Sequence, residues 1–106
     1  MNDQKGSTWR KWDLHVHSPA SALNNNFEGR TIEDKWSKYL TKLQSLSDIS
    51  VLGITDYFSV DGYKYIRDNA TLTNINLILP NVELRILPVT ATETPINIHI
   101  ILIQIL

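Results

Sequence analysis

The sequence predicts an α/β fold on a largely parallel sheet, and three observations carry that expectation. Short apolar runs rich in β-branched residues alternate with two segments of helical period. The order read from them is β-α-β-α-β-β. The residues best suited to chemistry fall where those runs end, as they do in sheets of this class.

Trp12 to His17 alternates apolar and polar residues in the period-two manner of a strand. "LNNNFEG" reads as a polar loop. Thr31 then caps a helix, with Asp34 three residues on in a near capping-box arrangement. Ile32, Trp36, Tyr39, Leu40, Leu43 and Leu46 give that helix one apolar face, ending near Leu46. Ile49 to Thr55 reads as a buried strand. Ser59 caps a second helix with Tyr63 and Ile66 inside, ending around Ala70. Ile75 to Arg85 is a third strand, interrupted by Pro80. A loop with Pro88 and Pro95 leads to a fourth strand, Ile96 to about Ile103.

The totals exclude several function classes. At 106 residues the chain is one small domain at most. A net charge of −1 leaves no general basic footprint for nucleic acid. The absence of cysteine removes disulfide and thiolate chemistry and fits a cytoplasmic protein. The polar N-terminus has no apolar core of a signal peptide, and no apolar run is long enough to span a membrane.

The stretch "KWDLHVHSPAS" holds two of the chain's three histidines. Alternate strand residues share a face, so Asp13, His15 and His17 are expected on one side. Two imidazoles at i and i+2 can reach one divalent ion, and a carboxylate can orient a ring through its second nitrogen. The alternative for these residues alone is a pair of surface histidines beside an aspartate. Asp56 ends the second strand, Glu83 lies in the third and His99 in the fourth, which collects the histidines and several carboxylates on one rim.

The succession "DLHVHSPAS", "GITDYFS", "NVELR" and "NIHII" resembles the polymerase and histidinol phosphatase (PHP) family of metal-dependent phosphoesterases. The resemblance runs from Trp9 to about Ile100, after a polar extension over residues 1–8. "WRKWDLHVHSPAS" with "GITDYFSVDGY" is similar to one branch, the TrlF type, in which this domain precedes an SMC-like or AAA-like ATPase. The resemblance implies that His15 and His17 bind a first metal, that Glu83 bridges two metals, and that His99 ligates the second. It makes Asp13 and Asp56 orienting groups; for Asp56 a strand-terminating turn residue is the alternative. Where the family has Thr-Asp-His for a third metal, this chain has Thr55-Asp56-Tyr57, and tyrosine is a poor ligand near neutral pH. One or two ions of zinc, manganese or iron are therefore expected, since a mixed N/O set does not choose among them. Arg85, on the strand of Glu83, offers a fork to phosphate or, alternatively, a solvated charge.

The implied fold is the N-terminal part of a distorted seven-stranded β/α barrel, incomplete because only four strands are present. In the ATPase-linked branch the text after the fourth-strand histidine resembles Ile-Ile-Phe-Asn-Pro. In a codon choice constructed here for Ile-Phe-Asn-Pro-Asp-Phe, ATT TTT AAT CCA GAT TTT A, loss of one T would give ATT TTA ATC CAG ATT TTA, which encodes the residues Ile101 to Leu106. A frameshifted tail over 101–106 is thus expected. The expected activity is hydrolysis of a phosphomonoester or phosphodiester, with a phosphorylated small molecule or nucleic acid as substrate and a downstream ATPase region as partner. The rival expectation is a non-catalytic remnant or interaction module that binds metal weakly or not at all.

Overall fold

A computed structural model of the chain describes residues 9–20, 27–87 and 94–103. The extension 1–8, most of the "LNNNFEG" loop, Pro88 and the end of the 101–106 tail lie outside the described residues. The elements are β1 (Lys11–His17), α1 (Ile32–Gln44), β2 (Ile49–Tyr57), α2 (Asp61–Asn69), β3 (Leu77–Ile86) and β4 (Ile96–Ile101). The four strands form one curled sheet in the order β1-β2-β3-β4.

Helix α1 begins as its sequence dictates. Thr31 is the N-cap and its hydroxyl accepts the Asp34 N–H at 3.1 Å. Asp34 answers by accepting the Arg30 N–H, one residue earlier than a strict capping box would have it. Trp36, Tyr39 and Leu43 turn inward against Leu52 and Ile54 of β2. From α2 comes Ile66, and Ile75 completes the layer. Each such aliphatic side chain contributes about 1.5–3 kcal/mol on full burial. This apolar layer occupies one face of the sheet and leaves the other for polar groups.

The sheet is largely parallel, as expected: β1, β2 and β3 run parallel, and β4 pairs antiparallel with β3. Only nine residues separate Ile86 from Ile96, too few for the crossover that a parallel strand requires. Ser59 is not the N-cap of α2; Val60 is, and Ser59 accepts the Asp61 N–H from one position further out. Pro80 does not interrupt β3. Its carbonyl accepts the Leu102 N–H on the β4 side, where β4 pairs only as far as Asn81↔Ile101. The missing Pro80 N–H therefore costs only the reciprocal half of the Pro80–Leu102 pair, just past the last registered residues of the ladder.

One irregularity in β1 positions everything that follows. Asp13 is registered with Leu52 and Val16 with Ile54, so Leu14 and His15 stand against the single residue Gly53. This is a β-bulge. It turns the Leu14 carbonyl across the sheet, where Thr55 Oγ1 donates to it at 3.2 Å and Asn81 Nδ2 at 2.8 Å. A Cβ on Gly53 would fall on the Leu14 carbonyl oxygen. Glycine is what lets β1 come so close, and Asn81 ties β3 to β1 past the strand between them.

Candidate metal centre

On the face away from the helices, strand register places Tyr57 beside Glu83 and Glu83 beside His99. His15 and His17 enter from β1. The ring centroids of His15 and His99 are 4.6 Å apart and those of His15 and His17 are 5.0 Å apart. His17 stacks on Tyr57 at 5.4 Å with 20° between the planes. Four of the sequence-predicted residues, His15, His17, Glu83 and His99, are thereby brought together.

The geometry around Glu83 is specific. Its side chain is only 2 % exposed. His15 Nε2 lies 3.3 Å from Glu83 Oε1 and His17 Nε2 lies 3.5 Å from it, while the two Nε2 atoms are 3.2 Å apart. Yet Oε1 accepts a hydrogen bond from none of the described residues. A buried carboxylate oxygen without a donor is costly unless something else neutralises it. Donor atoms held about 2.0–2.1 Å from a tetrahedral ion lie about 3.3–3.4 Å from each other. The observed triangle matches that spacing, and His15, His17 and Glu83 form a group capable of holding a metal ion. The second oxygen, Oε2, faces His99 Nε2 at 3.9 Å.

Asp13 and Asp56 stand elsewhere. The bulge breaks the alternation that would have put Asp13 on the histidine face, and its carboxylate accepts the backbone N–H of His15 at 3.2 Å. Asp56 is registered with Val82 on the helix side of the sheet, opposite in phase to Glu83. It accepts the Ser18 N–H at 3.1 Å and the Ser18 hydroxyl at 2.8 Å. Burial pushes its carboxyl above the ordinary value, against the pull of Ser18, of nearby His17 and of the Gly62 N–H. Asp56 thus serves the start of α2, where Val60 offers no side-chain cap.

Arg85 points to neighbours on the same face. Its Nη2 donates to the Tyr57 hydroxyl at 3.3 Å and its Nε to Asn97 Oδ1 at 3.3 Å. Its guanidinium also lies 5.3 Å from the Tyr57 ring centroid. Tyr57 therefore packs against His17 and accepts from Arg85. The next residue, Phe58, has φ 59 and donates its N–H to the Glu83 carbonyl at 3.0 Å. That left-handed turn, uncommon for a bulky residue, ends β2 beside the site.

Ser18, Gly53, Gly62 and Asn81 all support the site and escaped the sequence reading. Ser18 was legible in outline, as the residue closing "DLHVHS". Asn81 carried a weaker signal, a polar residue inside an apolar run. No family model, curated protein or solved structure matches the chain.

Proposed function

We propose that the chain carries the metal centre of a PHP-type phosphoesterase. His15, His17 and Glu83 Oε1 hold one divalent ion of zinc, manganese or iron, and Glu83 Oε2 with His99 reaches toward a second. The observation that carries this reading is the buried Glu83 Oε1, which faces two imidazole nitrogens and accepts from neither. A divalent ion there would supply a water of lowered pKa for attack on a phosphoester. The chain's own part is positional. Tyr57 holds the plane of the His17 ring, and Arg85 lies next to it with guanidinium N–H groups suited to phosphate oxygens.

A second reading, an interaction module without turnover, is favoured by the open β4 edge, every residue of which is exposed. Two measurements separate them. Calorimetry with zinc and manganese should show binding that His15→Ala with His17→Ala abolishes. Glu83→Gln should weaken it by more than the ~10–100-fold that loss of an outer-shell partner costs. Manganese-dependent hydrolysis of a generic phosphodiester, lost in Glu83→Gln, is the phosphoesterase outcome. Metal binding without turnover leaves the interaction module, and metal binding untouched by the double histidine change refutes the site.

A further inference from the structure

Strand β4 stands at the end of the sheet, and every one of its residues is exposed. Two hydrogen bonds fix its backbone phase. Pro80 of β3 offers its carbonyl to the Leu102 N–H, whereas Glu83 turns its carbonyl the other way, to the Phe58 N–H. Opposed residues of an antiparallel pair exchange both bonds or neither. Glu83 and His99 are therefore a non-exchanging pair, and the N–H and C=O of Asn97, His99 and Ile101 point outward from the edge of the sheet. Side chains alternate in the same rhythm, so Ile96, Ile98, Ile100 and Leu102 share the face opposite His99.

We infer that β4 is the two-fold interface of a reversible homodimer, pairing antiparallel with β4 of a second copy about His99. Symmetry is the first argument. His99 is the midpoint of Ile96 to Leu102, and the segment reads nearly alike in both directions from it: Ile98 and Ile100, Asn97 and Ile101, Ile96 and Leu102. Pairing centred there satisfies the three outward residues at once, with Asn97 opposite Ile101, His99 opposite His99 and Ile101 opposite Asn97. The same register sets Ile96 against Leu102 and Ile98 against Ile100 across the interface, aliphatic against aliphatic.

Closure is the second argument. The other free edge, β1, is blunted by its bulge and by Lys11, whereas β4 has no charged residue, no proline and no register shift. A contact between β1 and β4 would repeat as an open chain of copies, but β4 on β4 closes after two. A net charge of −1 opposes the approach of two copies only weakly. Size then sets the strength. A segment from Ile96 to Leu102 is about 23 Å long in a layer ~10 Å thick, so the paired edge covers on the order of 200 Å² per copy before the aliphatic row is added. Stable complexes cover about 800 Å² per partner, so this dimer forms and parts with concentration.

Sedimentation equilibrium of the full chain, in chelator so that no metal takes part, tests the interface. Wild type should pass from monomer to dimer, and no further, as concentration rises. Ile101→Pro removes an outward N–H and no bond to β3, and should weaken dimerisation at least about tenfold. Circular dichroism and zinc calorimetry on that variant report whether fold and metal centre survive. A cross-link tests the register without it. The chain has no cysteine, so Ile96→Cys and Leu102→Cys each carry a single thiol. Oxidation of the two proteins mixed should give a covalent dimer. Either alone should give little, because like positions then lie about 20 Å apart along the strand, beyond the span of a disulfide. The His15→Ala, His17→Ala protein should lose metal and keep the dimer, so this inference stands apart from the phosphoesterase reading. Monomer at every concentration overturns it, as does assembly past the dimer. Cross-linking of either single-cysteine protein as fully as the mixture overturns the two-fold register.

Discussion

Asp56 and Glu83 are the two carboxylates buried to 2 % exposure or less among the described residues, and they are treated differently. Asp56 is surrounded by donors from Ser18 and Gly62, whereas one oxygen of Glu83 has none. The raised value of Asp56 has a consequence for stability. The folded chain holds that proton more tightly than the unfolded chain. Its contribution is therefore full below the ordinary carboxylate value and is lost as pH rises through the elevated one. Asp56→Asn should remove this linkage. The melting temperature of wild type minus that of the variant should favour wild type most in mild acid and decline toward neutral pH. A difference that stays level or grows with pH would contradict the assignment. Which carboxylate was which could not be read from the sequence. Asp56 stands near the end of β2 and Glu83 inside β3, and the phase of the sheet decides that one faces the helices and the other the histidines.

At the scale of elements, periodicity made the two helices and four strands visible. The bulge was not visible. The antiparallel turn of β4 followed from loop length, which the sequence did display. The bulge at Leu14 and His15 depends on Thr55 and Asn81, which lie far along the chain and carry no local signal. Gly53→Ala tests it. The added Cβ meets backbone, which cannot swing aside as a long side chain can. We expect a loss of about 1–3 kcal/mol in urea unfolding, typical of overpacking. Metal affinity should fall with it, because moving Leu14 moves His15. Full stability together with full affinity in Gly53→Ala would show that β1 does not need this approach. Gly62→Ala should destabilise by a similar ~1–3 kcal/mol, since its Cβ would land on Ser18 Oγ and Asp56 Oδ2.

For the molecule as a whole, β4 is the edge on which association should be decided. Ile96, Ile98 and Ile100 are 50 %, 40 % and 43 % exposed and project from the face opposite His99. An exposed, uncharged edge of this kind templates pairing with other chains. Ile98→Lys with Ile100→Lys should suppress concentration-dependent light scattering while zinc binding persists. Scattering unchanged by the two lysines would place the contact elsewhere. Among the described residues no helix is long and apolar enough to cross a membrane. The link from Leu14 to Asn81 also has a meaning in time. These residues are 67 positions apart, so at about 5–20 residues per second β1 leaves the ribosome several seconds before β3. Through that interval the histidine pair lacks Glu83, and its bulge has only Gly53 and Thr55 of β2 as partners. A nascent chain can offer an ion two imidazoles at most, and the site becomes three-sided only when translation delivers Asn81 and, two residues later, Glu83.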